Sequence, residues 1–201
     1  MTHQVDSKEE IFQAIKSKCL ESFHSGVTEL FSMANIMMDI DGIPMHHPYH
    51  HYIVPAILLT AAARETCISA EELDEMLDEA MHRSKNIPGG FCGKCGACGA
   101  GIGAGIFMSV FTDTSPLSSE SWAWANEITG ICLQAISEIT GPRCCKRTCY
   151  LTFRAAVPYI KEKLGFELNL SNNIQCKYYE RNDECKKTKC PFFPKESDPV
   201  C

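Results

Sequence analysis

The 201-residue chain has no uninterrupted apolar run of the roughly 18 residues that a membrane-spanning helix needs, so no span is expected. It has no clustered basic block either. Its 19 Lys and Arg are outnumbered by 25 Asp and Glu, for a net charge of −6. Nucleic-acid binding calls for a Lys/Arg stripe or patch, so that partner class is excluded as an expectation. The opening "MTHQVDSKEE" is polar and acidic where a secretory leader would be basic and then apolar. A cytoplasmic, reducing setting is therefore expected. A dinucleotide-binding loop is missing as well. "GAGIGAG" (99–105) does not have the G-x-G-x-x-G spacing, and no strand of a βαβ unit precedes it. A helix packed closely on a neighbour is the better expectation there.

What the chain does have is thirteen cysteines, against an otherwise ordinary 45% hydrophobic and 22% charged composition. In a reducing compartment, clustered cysteines bind metal or do redox chemistry more often than they form structural disulfides. The odd total also leaves one thiol over in any complete pairing.

The hydrophobic periodicity is helical along most of the chain, and the expected class is mainly α. Helices are predicted over 8–22, 26–40, from Ile53 through the apolar run containing Pro55, from Ser69 to about Arg83, after the cysteine triplet, over 118–139 and from Pro142 to Gly165. Ser69 and Glu72 form a capping box. Pro55 must sit near a first turn or kink its helix, Pro142 would take a first helical position, and Gly165 would close the last helix. Trp122 and Trp124 are available for packing, and Cys19, Cys67 and Cys132 read as core. Residues 166–175 read as a linker or short strand. The tail is too poor in aliphatics to build a core, so it must fold around metal or stay mobile. The expected organisation is a compact multi-helix domain over 1–165 and an irregular, cysteine-rich, metal-binding tail over 166–201.

Three groups of cysteines stand out. Cys92, Cys95 and Cys98 keep a strict C-x2-C-x2-C beat, each followed by Gly or Ala. Ferredoxin-type loops place three thiolates around an inorganic core in this way and take a fourth from elsewhere. The small neighbours Gly93, Gly96 and Gly99 suit a tight wrap. Zinc is the alternative, although structural zinc sites usually pair two knuckles. Redox-active thiols without metal are a third reading. Ile102 stands where a ferredoxin loop would place its last cysteine. The second group, "CCKRTC", is the best distant donor: on a helix, Cys145 and Cys149 share a face while Cys144 points elsewhere. Arg143, Lys146 and Arg147 would lower the thiol pKa values and stabilise an anionic cluster. Any one of Cys144 and Cys149 could instead be a small buried residue. The third group, Cys176, Cys185 and Cys190, ends in Cys-Pro like a ferredoxin loop, but its wider spacing also suits zinc. A fourth ligand there would come from Cys201 or Cys149. One [4Fe–4S]-type cluster is thus expected, with a second as an option and zinc as the alternative metal.

"MHHPYHHY" gathers His46, His47, His50 and His51 beside a buried apolar helix. Imidazoles there could wall a site and act as acids, bases or ligands. A histidine-rich surface loop is the plainer alternative.

Three stretches together, "MHHPYHHYIVPAILLTA", "NIPGGFCGKCGACGAGIGAGIF" and "GPRCCKR", resemble an uncharacterised family of anaerobic archaea and bacteria, domain of unknown function 5714, over roughly residues 43–165. The resemblance implies an anaerobic setting and a metal or redox role. Members occur alone or fused to predicted S-adenosylmethionine-dependent methyltransferases, and the middle cysteine of the triplet is not always kept. That carries Cys92 and Cys98 over more firmly than Cys95. Three functions follow as expectations: an iron–sulfur protein in electron transfer or a redox enzyme, a zinc-stabilised binding module serving a methyltransferase or other partner, or a thiol-based transfer enzyme using Cys144 and Cys145 without metal. The histidines would make the first of these catalytic.

Overall fold

A computed structural model describes residues 7–195. Among the described residues there are eight α-helices, one 3-10 turn at Lys187–Lys189 and no strand. The helices are α1 (Ser7–Ser25), α2 (Leu30–Met38), α3 (Tyr49–Glu65), α4 (Ala70–Lys85), α5 (Phe91–Lys94), α6 (Gly99–Phe111), α7 (Glu120–Ser137) and α8 (Cys145–Leu164). None of them is long and apolar enough to cross a membrane.

The centre is α3. It is buried along almost its whole length from Tyr49 to Ala63, and it packs on α1, α2, α4, α6 and α8. A helix that is apolar on every side needs neighbours on every side. Pro55 lies in its second turn rather than its first. The proline has no N–H, so the His51 carbonyl one turn earlier loses its helical partner. The Ser84 hydroxyl of α4 donates to that carbonyl at 3.4 Å. α4 itself starts at the expected capping box, with Glu72 N donating to Ser69 Oγ (3.2 Å) and Ser69 N donating to Glu72 Oε2 (3.1 Å).

The glycines of α6 allow close packing on two sides. A Cβ on Gly99 would lie 2.2 Å from the His51 ring, and one on Gly103 would lie 2.9 Å from Pro55 Cδ and 3.0 Å from the His51 carbonyl. Those two positions, four residues apart, face α3. Gly101 and Gly105 face α7, where a Cβ would meet Leu133 at 2.8 Å and Thr129 Oγ1 at 2.1 Å. The glycine run is therefore a helix wedged between two others.

Several local expectations change. Pro142 does not begin a helix: Cys144 is the N-cap and α8 starts at Cys145, ending as expected at Gly165 with φ +78°. Cys19 and Cys132 are core, but Cys67 is exposed just past the end of α3 with φ +57°. Trp124 packs on the core while Trp122 is half exposed. Residues 166–175 form no strand; they bind the start of α2, with Leu30 N donating to Asn169 O (3.0 Å) and Ser171 N donating to the capping carboxylate of Glu29 (3.0 Å). The irregular tail does not stand apart. Tyr178 and Phe192 are buried in the same core as the helices. The Tyr178 hydroxyl donates to Asp39 (3.0 Å), and Lys186 Nζ donates to the Thr140 and Gly141 carbonyls (2.9 and 2.8 Å).

Candidate metal and thiol centre

The N-termini of α6 and α8 each begin at a cysteine. Cys98 caps α6 and Cys144 caps α8, and Arg147 N donates to Cys144 Sγ at 3.5 Å. A helix N-terminus offers unpaired N–H groups and the positive end of the helix dipole, both of which favour an anionic sulfur. Because α3 and α7 clamp α6 through its glycines, this end of α6 is held beside the start of α8.

Between them lies a cleft of about 340 Å³ lined by Cys92, Cys98, Cys144 and Cys145, together with His50, His51, Arg143 and Arg147. Cys149 sits one turn below Cys145, fully buried, with its thiol donating to the His50 carbonyl at 3.7 Å. The Cys145 and Cys98 sulfurs are close enough to raise the Cys149 pKa further. Two segments well separated in sequence, 92–98 and 144–145, thus bring thiols to one cleft. Cys95 is not among them: it is exposed and lies outside the lining. Of the loop glycines, Gly99 is required by the His51 ring and Gly96 has φ +70°. Gly93 lines the cleft but is exposed, and nothing lies within 4 Å of a Cβ there.

A second set of sulfurs forms around the tail. Cys144, Cys176, Cys185 and Cys190 line a separate pocket of about 20 Å³, with Arg147 and Asn182. Cys144 therefore belongs to both walls, while Cys145 lines the cleft alone and the fully buried Cys149 lines neither. Cys201 lies outside the described residues. Among the described residues, no group of three or more His, Cys, Asp or Glu side chains is already arranged to hold a metal ion. The thiols share cavities rather than a finished coordination sphere.

Burial, not the neighbouring cations, dominates the thiols. It raises Cys98 and Cys144, pushes Cys145 up to about 12 and Cys176 to about 11, and raises Cys149 well above the usual thiol value. The expectation that Arg143, Lys146 and Arg147 would lower these values is reversed. Lys146 is itself only 1% exposed and its ammonium is disfavoured by that burial; it rests 5.0 Å over the Tyr178 ring and donates to the Pro44 carbonyl.

The histidines divide into two pairs. His50 is 1% exposed, and its pKa is pushed well below the usual value, first by burial and then by the Lys146 charge. Its Nδ1 is 2.9 Å from the His47 carbonyl, which fixes Nδ1–H as the donor and leaves Nε2 with a free lone pair. That Nε2 has no protein partner, and neither does His51 Nδ1. Both rings line the cleft. His46 instead pairs with Glu184 of the tail at 2.6 Å, and His47 stacks on Tyr49 with ring centroids 3.9 Å apart. Sequence reasoning missed Glu184 and Asn182, whose Nδ2 donates to Cys144 Sγ at 3.5 Å. Neither carries a local signal, because each acts on a residue far away in the chain.

Among the described residues, fold and site define a helical protein without strands, whose thiol- and imidazole-lined cleft is walled by α3, α5, α6, α7 and α8. The chain belongs to the Family of unknown function (DUF5714), whose sequence model matches residues 15–193. No curated protein and no solved structure matches the chain.

Proposed function

We propose that the protein binds an iron–sulfur cluster at the Cys92, Cys98, Cys145 and Cys149 thiols and serves a redox role in anaerobic metabolism. The observation that carries this reading is the convergence of Cys92, Cys98 and Cys145 on one cleft, with Cys149 directly beneath. The residues suit such a group in three ways. The donors are soft thiols, the choice of iron–sulfur centres. Arg143 and Arg147 line the same cleft, and the Arg147 Nε is buried without a partner, so positive charge is already in place for an anionic core. The cleft volume of about 340 Å³ leaves room for inorganic atoms that no side chain fills.

When bound, the cluster supplies one-electron transfer. The protein's own residues supply the setting. The start of α6 turns the Ala100 and Gly101 N–H groups toward Cys98, Leu133, Ile136 and Ile139 wall the cleft with apolar surface, and the neutral Nε2 of His50 offers a proton acceptor at the wall. Electrons would pass to a partner protein, and a methyltransferase is one candidate for that partner. The metal-free thiol reading is weaker, because burial holds the Cys144 and Cys145 thiols protonated and a thiol without its thiolate is a poor nucleophile.

The test is the visible spectrum of anaerobically purified single variants. Cys98→Ser and Cys145→Ser should bleach the thiolate-to-iron absorbance, while Cys95→Ser should retain it. Full absorbance in Cys98→Ser would remove the proposal.

A further inference from the structure

We propose that Cys144, Cys176, Cys185 and Cys190 form a second, independent centre: a closed tetrathiolate site for one Zn²⁺ ion. It stands apart from the cluster proposed above, with its own ligands and its own metal.

Size is the first argument. The pocket these four thiols share measures about 20 Å³, against about 340 Å³ for the cleft. A volume of this order admits one water-sized body, since a cavity needs about 10–15 Å³ to hold a single water. A lone ion fits where a cubane does not. Four cysteine sulfurs around one ion is a standard structural zinc set, with no position left for substrate.

The second argument is how the sulfurs are held. Lys187 N donates to Cys185 Sγ at 3.4 Å, across two residues. The Tyr178 N–H reaches Cys176 in the same two-residue relation, and the Lys146 N–H reaches Cys144. Asn182 Nδ2 and Arg147 N add two more donors to Cys144, both at 3.5 Å. Hydrogen bonds from backbone N–H groups to sulfur are what a metal-bound thiolate needs in its outer shell. The Arg147 Nε, buried on the same wall with no partner, supplies positive charge beside a site that would carry net negative charge.

The third argument is what the tail lacks. Residues 176–193 contain one 3-10 turn and no other regular element. Cys176 N donates to Phe192 O at 2.7 Å and so ties the two ends of this loop together around the pocket. An ion joining Cys176, Cys185 and Cys190 to Cys144 would fasten the loop to the first turn of α8. In doing so it would set the position of Cys145 next door.

X-ray absorption at the zinc edge of the anaerobically purified full-length protein tests this. The expected result is about one zinc per chain with four sulfur neighbours at about 2.3 Å. Cys185→Ser and Cys190→Ser should lose that zinc, and Cys92→Ser should keep it. The milder Asn182→Leu should weaken zinc affinity about 10–100-fold in competition with a chelator, as loss of an outer-shell donor does. A shell containing nitrogen or oxygen, zinc retained in Cys185→Ser, or iron and sulfide that depend on Cys185 and Cys190 would each overturn the proposal. Because the wild-type spectrum decides the shell, failure of a variant to fold does not shield it. Loss of iron from Cys98→Ser with zinc intact would separate the two centres.

Discussion

Replacing two glycines by alanine, one at a time, should move stability in opposite directions. Gly130 lies on the exposed face of α7, with nothing within 4 Å of a new Cβ. Alanine there removes the helix penalty of glycine, a gain of about 0.5–1 kcal/mol. Gly103 earns the same propensity gain, but its Cβ would lie 2.9 Å from Pro55 Cδ, 3.0 Å from the His51 carbonyl and 3.1 Å from Val54 Cβ. The first belongs to a rigid ring and the second is backbone in the central helix, so neither can swing aside. Overpacking of this kind costs about 1–3 kcal/mol, leaving Gly103→Ala up to about 2.5 kcal/mol below wild type after the propensity gain. The propensity gain cancels between them, so the two variants should differ by the overpacking cost, about 1–3 kcal/mol, or about 2–12 °C in Tm for a chain of this size. Scanning calorimetry on both, with metal content checked, is the assay. Equal Tm values would refute the claim that α6 and α3 are held in contact through glycine, and with it the positioning of Cys98 beside α8.

Three further outcomes are expected. His50 and His51 are held neutral in the folded protein, with pKa values below the ordinary one, whereas an unfolded chain protonates its histidines near pH 6.5. Below that pH the unfolded state binds more protons, so stability should fall as pH drops from about 6.5 toward 5, by up to about 1.4 kcal/mol per pH unit per histidine. Urea midpoints should show this loss, and His50→Gln should have the shallower slope; parallel slopes would contradict the assignment. Tyr150→Phe removes a hydroxyl that donates to Asn35 Oδ1 at 2.8 Å in a buried setting, and should cost about 1–3 kcal/mol in denaturant unfolding. Cys132→Ala should leave iron and zinc content unchanged, because Cys132 faces the α7–α8 core and its thiol donates to the Thr152 carbonyl at 3.7 Å.

Local rules carried the reading of the sequence a long way. Periodicity located seven of the eight helices, missing α5 inside the cysteine triplet that read as a loop; Ser69 and Glu72 announced the start of α4, and Gly165 marked the end of α8. The pairing of Cys145 with Cys149 on one face followed from helical spacing and holds. What sequence did not reveal depends on the chain returning to itself. The proline rule favoured Pro142 as a helix start, but a thiol acceptor at Cys144 sets the cap instead. Gly99 looked like room for a cluster, yet the atoms it makes way for belong to His51, 48 positions earlier. The positive residues around Cys144 and Cys145 suggested lowered thiol pKa values, while depth of burial, invisible in composition, wins. The tail looked unable to contribute a core, and it does not build one; it inserts Tyr178 and Phe192 into the core of the helices. The sharing of Cys144 between the cleft and the tail pocket was likewise hidden, because its sequence neighbour Cys145 lines the cleft alone.

The most direct test of the cluster reading is Mössbauer spectroscopy, with iron and acid-labile sulfide analysis, on protein purified without oxygen after growth on ⁵⁷Fe. A [4Fe–4S] centre predicts about four irons and four sulfides per chain, in the signature of tetrahedral sulfur-coordinated iron. A colourless protein with no iron and no labile sulfide, the Cys92, Cys98, Cys145 and Cys149 thiols all free to alkylate on unfolding, would contradict it.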